Sequence, residues 1–227
     1  TDVFNVAVGH DAGVSITTGF RNTLIGGLAG DVLTDADNNV AIGYAALTTD
    51  TLGSGAVAVG AGALNSQNFT TATTNYNVGV GLDAGKSITF GTVNTLIGGL
   101  AGDALTEGNN NVAVGYAALG SDTKGDRNIS IGSGSLATQN FTTSTDSYNV
   151  AVGHNAGNAI TTGVQNVFVG GLSGDSTTDA DGNVGVGHRT LDANTLGSFS
   201  TALGGLALAS QNYTTATAAY NLSLIHI

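Results

Sequence analysis

The sequence predicts an all-β chain, a parallel β-solenoid of about twelve short coils. Three observations carry this: a composition suited to strands and poor in charge, a long repeat without slippage, and a spacing of two between apolar residues inside each repeat.

The composition is unusual for a chain of 227 residues, with 36 glycines, no proline, cysteine, methionine or tryptophan, and only 9% charged residues. High glycine with little charge can mark disorder, but disordered chains lack β-branched residues. This chain is rich in valine, isoleucine and threonine, which fit a pleated surface. The net charge is −11, and the five basic residues, Arg21, Lys86, Lys124, Arg127 and Arg189, are scattered. No patch can neutralise a run of phosphates, so neither nucleic acid nor an anionic membrane surface is an expected partner. Without cysteine there is no disulfide framework and no thiolate metal site. No run of 18 apolar residues is present to span a membrane.

The repeat follows from three near-identical strings. NVAVGHDAG begins at Asn5, NVGVGLDAG at Asn77 and NVAVGHNAG at Asn149, each 72 residues after the last, and the next step falls on Asn221. Each unit divides again. In the first, the pattern N-x-x-V/I-G starts at Asn5, Asn22 and Asn39 and continues as AVAVG from Ala56, in steps of 17, 17, 17 and then 21 residues. A coil that climbs one strand spacing per turn returns the same side chain to the same place, which hairpin arrays do not. Helix is excluded by the spacing and by the glycine content.

Within a coil, let the asparagine be place zero. Places one and three are almost all β-branched, and place four is glycine, which permits a turn at positive φ. Places one and three share one side of a strand and are predicted to be the core: Val6, Val8, Val40, Ile42, Val78, Val80, Val112, Val114, Val150 and Val152. Place two is then predicted to point outward. The recurring asparagine is expected to form an amide ladder along the axis, or to be kept because it turns well. Place eight alternates in pairs, Gly13 and Gly30 followed by Leu47 and Leu64, so two coil shapes alternate. SITTG from Ser15 and SITFG from Ser87 are predicted as second strands.

NVAIGYAAL from Asn39 and NVAVGYAAL from Asn111 resemble the head repeats of trimeric autotransporter adhesins and the similar repeats of phage and bacterial tail-fibre proteins. The resemblance covers Asn5 to Tyr220. The coils here are longer than those of the adhesin heads, and the tail-fibre type is nearer in length. The resemblance implies a left-handed β-roll, three chains around one axis, and a role in attachment or spacing at a bacterial or virion surface, outside the cell. It makes the expected partner a second and third copy of the chain, with a host-surface protein or glycan as ligand. Place two carries no charge in any coil, so an outward place two would be the trimer interface: Ala7, Leu24, Ala41, Ala58, Leu96, Ala113, Ala151 and Phe168.

Other chemistry is thinly supported. His10, His154 and His188 sit at place five, where other coils carry Leu82, Tyr44 and Tyr116, so a surface contact is expected rather than a metal site. DADNN from Asp35 and DADGN from Asp179 resemble the start of a calcium loop, but the middle unit has EGNNN and no glutamate closes a loop. GGLAGD from Gly26 lacks the lysine of a phosphate loop. The long fourth coil reads SQNFTTATTNY, TQNFTTSTDSY and SQNYTTATAAY. Its aromatics, Phe69, Tyr76, Phe141, Tyr148, Tyr213 and Tyr220, are either packed on a neighbouring coil or chain, or a periodic set of ligand-contact loops. No cofactor and no enzyme activity are expected. A glycan-cleaving tailspike needs paired carboxylates across a groove, and an ice-binding solenoid needs threonines ranked in every coil; neither pattern recurs here. Thr1 to Phe4 align with TDSY before Asn149, as the tail of a preceding coil, and LSLIHI over 222–227 resembles a translated sequencing adapter rather than a continuation of the repeat.

Overall fold

The computed structural model describes residues 3–224. It is all-β without helix, its parallel strands stacked as a β-solenoid of about 13 turns. The chain forms two compact units, Thr1–Asn110 and Asn111–Ile227. In the first, the strands Val6–Val8, Thr23–Ile25, Val40–Ile42, Val57–Val59, Val78–Val80 and Thr95–Ile97 stack in sequence order. In the second, Val112–Val114, Ile129–Ile131, Val150–Val152, Val167–Val169, Val184–Val186, Thr201–Leu203 and Leu222–Leu224 do the same. Register follows the repeat: Val40 lies beside Val57, 17 residues on, and Val57 beside Val78, 21 residues on. Leu222–Leu224 pair in register with Thr201–Leu203, while the rest of the expected adapter-derived tail, like Thr1 and Asp2, lies outside the described residues.

Glycine at place four is required twice over. Its φ is +132 to +140° in most coils, a region L side chains rarely adopt. A Cβ on Gly43 would also lie 2.5 Å from the carbonyl oxygen of Gly60 in the next coil. The glycines therefore stack backbone on backbone.

The asparagine ladder is present, with a division of labour the sequence does not announce. Asn22 Oδ1 accepts the backbone N–H of Asn39 at 2.9 Å, and Asn39 Oδ1 accepts that of Ala56 at 2.8 Å. The amide nitrogen reaches across its own coil: Asn39 Nδ2 donates to Gly53 O at 2.9 Å, and Asn22 Nδ2 to Ala36 O at 2.7 Å. Each carboxamide thus ties one coil shut and fastens it to the next. Direct amide-to-amide contacts are longer, 3.3 Å for Asn94 to Asn77. These asparagines are fully buried, and a buried amide left without partners is costly.

The predicted strand parity is reversed. Place two points into the roll: Leu24, Ala41, Ala58, Leu96, Ala113, Ala151 and Phe168 are fully buried, and only Ala7, in the first strand, is exposed. Places one and three face outward. Val40, Ile42, Val78, Val80, Val112, Val114, Val150 and Val152 are half-buried, and Val6 and Val8 are exposed. The physical reason is width. A 17-residue coil closed on itself leaves a narrow interior, filled at place two by alanine, glycine or serine in three coils of each unit and by one large residue, Leu24, Leu96 or Phe168, only where place eight is glycine; a β-branched residue in every coil has no room there. The place-two residues are therefore not an interface between chains; they are the core.

The core is completed by places seven, eight and eleven. Alanine at place seven is buried, as at Ala29, Ala46, Ala63 and Ala84. In the first two coils of a unit place eight is glycine and one large place-two side chain covers both glycines. A Cβ on Gly13 or Gly30 would lie 2.6 or 2.9 Å from Leu24, and one on Gly174 would lie 2.4 Å from the Phe168 ring. In the last two coils place two is small and Leu47, Leu64, Leu119, Leu136 and Leu191 fill the space from place eight. These leucines hold φ of +46 to +54°. Left-handed backbone costs a non-glycine residue about 1–2 kcal/mol, and complete burial of a leucine contributes about 1.5–3 kcal/mol, so burial offsets the strain.

The predicted strands at Ser15 and Ser87 are not formed; those segments are turns and bends. The short second ladders lie elsewhere, pairing Gly53–Ser54 with Thr73–Thr74, Gly125–Asp126 with Thr145–Asp146 and Gly197–Ser198 with Thr217–Ala218.

A candidate binding cleft beside the long coil

The six aromatics of the long coils divide into two sets. Phe69 and Phe141 are buried, each 6% exposed, and Phe69 meets Phe90 edge-on at 6.3 Å. Tyr213 is half-buried, and its hydroxyl accepts from Asn221 Nδ2 at 3.0 Å. As ligand contacts, Phe69 and Phe141 are therefore corrected to core positions. Tyr76, Tyr148 and Tyr220 stand out from the surface, 64%, 47% and 74% exposed. They occupy the last residue before place zero, which is left-handed in successive coils, with φ of +53° at Tyr76. That turn aims the side chain away from the core, and a tyrosine tip that stays wet loses nothing there.

In the first unit Tyr76 lines a surface cleft of about 540 Å³ with Asp35, Asp37, Ser54, Thr73 and Thr74. Asp35 Oδ1 accepts from the Thr18 hydroxyl at 2.5 Å. Asp37 Oδ1 accepts the backbone N–H of Phe20 at 2.9 Å, and its own N–H donates to Ser54 Oγ at 2.9 Å. Asp181 does the same for Val164 N–H at 2.8 Å, and Asn109 for Thr92 N–H at 2.9 Å. This explains why aspartate and asparagine interchange here: one side-chain oxygen receives the preceding coil, and a calcium loop is not needed to account for the motif.

Asp50 and Asp122 are fully buried. Asp50 Oδ1 accepts from Gly53 N at 3.0 Å and Phe69 N at 2.9 Å, and Oδ2 accepts from Gln67 Nε2 at 2.6 Å. Asp122 holds Gly125, Phe141 and Gln139 in the same way. Burial raises the pKa of both above the ordinary carboxylate value. With every hydrogen bond directed inward, they organise the 21-residue coil and offer nothing to a substrate. In the third repeat Asn194 replaces them, and its side chain bonds both N–H and C=O of Gly197. Asp175 and Asp192 stack in neighbouring coils. Burial and the second carboxylate push Asp175 up to about 6; for Asp192, burial is outweighed by the hydrogen bond from Asp175 and by Arg189, and its pKa is lowered.

His10, His154 and His188 are all exposed, as are Tyr44, Leu82 and Tyr116 at the same place. Among the described residues no three histidine, aspartate or glutamate side chains converge on one point. No described helix is long and apolar enough to cross a membrane. Fold and surface together define a parallel β-solenoid of stapled 17- and 21-residue coils with an acidic, tyrosine-lined cleft on its first unit. No family model, curated protein or solved structure matches the chain.

Proposed function

We propose that the chain is a structural and adhesive section of a surface fibre, the head or stalk of a trimeric adhesin-like protein that mediates attachment. The observation that carries this is the outward face of the strands. Places one and three are valine, isoleucine or leucine in every coil from Asn5 onward except at Thr23, Thr95 and Thr201, and none is charged. Ile25, Ile97, Ile129, Ile131 and Leu203 are 38–48% exposed. Sheet edges and faces that meet water are ordinarily kept soluble with charge, and a regular apolar face of this length needs cover. A second and third copy presenting the same face around one axis cover it in every chain at once. The interface thus moves from place two to places one and three, and the trimer keeps its rationale.

The role is one of binding and spacing, without catalysis or cofactor, at a bacterial or virion surface outside the cell. The buried acids Asp50 and Asp122 support this, since their hydrogen bonds are spent inside the fold, joining one coil to the next. A phage tail-fibre segment for host recognition is the second reading, favoured by the length of the coils. Sedimentation equilibrium of the purified chain tests assembly. The expected mass is three times the 22.3 kDa of one chain, and a soluble, stable monomer would overturn the proposal. Val114→Asp, on the outward face, is expected to abolish association while leaving the β-sheet circular dichroism in place.

A further inference from the structure

The tyrosine before each new 72-residue unit has a neighbour one coil earlier at the same place: Gly55 beneath Tyr76, Arg127 beneath Tyr148, Phe199 beneath Tyr220. All six share a left-handed backbone, with φ from +49 to +77°, so the side chain alone decides what lies on the tyrosine ring. In the second repeat the Arg127 guanidinium sits 5.7 Å from the Tyr148 centroid and pairs with Asp146. In the third the Phe199 ring stacks on Tyr220 at 5.4 Å and 12°. In the first, glycine leaves the ring face open. A Cβ on Gly55 would lie 3.3 Å from Thr74 Cγ2 and 3.9 Å from Tyr76 Cδ1, at the edge of the ring, and Gly55 lines the cleft at this place.

We infer that this cleft takes the guanidinium of an arginine side chain from a partner polypeptide, seated on Tyr76 as Arg127 is seated on Tyr148. Asp35 and Asp37 line the cleft and no lysine, arginine or histidine does, so its charge favours a cation. Each carboxylate uses Oδ1 within the fold, and Oδ2 is the acceptor offered to the ligand. A guanidinium lies flat on an aromatic ring while its edge N–H groups pair with carboxylates; an ammonium has no flat face to stack. A sugar ring also stacks on tyrosine but gains nothing from two carboxylates of like sign beyond hydrogen bonds. The cleft lies within one unit and is complete in a single chain, so it stands or falls separately from trimer formation.

The test is a titration followed by the Tyr76 ring resonances in NMR, using N-acetyl-arginine amide, the lysine analogue and methyl glucoside. The arginine compound is expected to give a saturable shift, with the lysine analogue binding about two- to fivefold more weakly. Gly55→Arg supplies the guanidinium from the chain itself, in a backbone conformation that Arg127 already holds, and is expected to fold and to abolish the response. Tyr76→Ala, followed through Thr74, is expected to lose binding without loss of fold. Absence of a saturable shift, equal binding of the lysine analogue, preferential binding of the glucoside, or unchanged binding in Tyr76→Ala would each overturn the assignment.

Discussion

The first two coils of a 72-residue unit and the last two solve the same packing problem in opposite ways. In the first pair a large side chain at place two, Leu24, Leu96 or Phe168, lies over two glycines at place eight. In the second pair place two is small and leucine at place eight fills the same interior. Place eleven follows the division. It is apolar in the first pair at Leu33, Ile88, Leu105 and Ile160, with Thr177 the exception, and polar in the second, at Asp50 with Gln67 and Asp122 with Gln139. The difference teaches that each pair of coils conserves volume rather than residue identity, and that the third and fourth coils are joined by a polar brace where the first two are held by hydrocarbon.

The largest expected effect comes from emptying the first type of coil. Leu24→Ala removes a fully buried side chain from a site flanked by two glycines that cannot move inward, and should cost about 2–5 kcal/mol in denaturant unfolding. Gly30→Leu alone overfills the same space by about 1–3 kcal/mol. Together the two convert the coil to the second type. The double variant should lose less than the sum of the singles, with a coupling of about 1 kcal/mol or more. Strict additivity would break the comparison.

The polar brace gives the next effect. Asp50→Asn leaves Gln67 Nε2 facing an amide rather than a carboxylate, at a cost of about 1–2 kcal/mol. The third repeat shows the remedy: Asn194 is accompanied by Ser200, whose Oγ accepts from Gln211 Nε2 at 3.1 Å. Asp50→Asn with Ala56→Ser should therefore recover most of the loss. The pH dependence has a definite sign. Asp50 has a raised pKa in the fold, so the folded state holds its proton more tightly than the unfolded chain does. Its contribution is most favourable below the ordinary carboxylate pKa and is lost as pH rises through the raised value. The double variant should show a flatter stability curve across that window; a curve as steep as that of the unaltered chain would count against the assignment.

The smallest effect sharpens the apolar side. Thr177 stands at place eleven of a first-type coil, where Leu33 and Leu105 occur, and its buried hydroxyl has no hydrogen-bond partner. Thr177→Val keeps the shape and removes the hydroxyl, and should stabilise by about 1 kcal/mol, read as a rise in Tm. A fall would mean that the hydroxyl has a partner there.

Much of this was legible in the residues. The coil steps, the glycine stack and the asparagine at place zero all follow from periodicity, because a solenoid repeats its environment as it repeats its sequence. The parity of the strand did not follow. Reading β-branched residues as interior is sound where a sheet packs on another layer, and fails where the coil is too narrow to hold them. A signal was available: a large place two occurs only with glycine at place eight, as in Leu24 with Gly30, and leucine at place eight only with a small place two, as in Leu47 with Ala41, and such compensation belongs to an interior. The cleft was half legible. The tyrosines stood out, but their separation from Phe69 and Phe141 depends on which residue occupies the left-handed turn. The meaning of Gly55 appears only once the 21-residue step places it beneath Tyr76.

The central claim is that small place-two residues fill the roll while valine and isoleucine face outward, and adjacent cysteines test it most directly. The chain has no cysteine of its own, so Ala41→Cys and Ile42→Cys can each be read alone. In the native protein Ile42→Cys should react with a thiol reagent or, where copies meet, form a disulfide between chains on oxidation, while Ala41→Cys should do neither until the chain is unfolded. A reactive Ala41→Cys beside an inert Ile42→Cys would contradict the account.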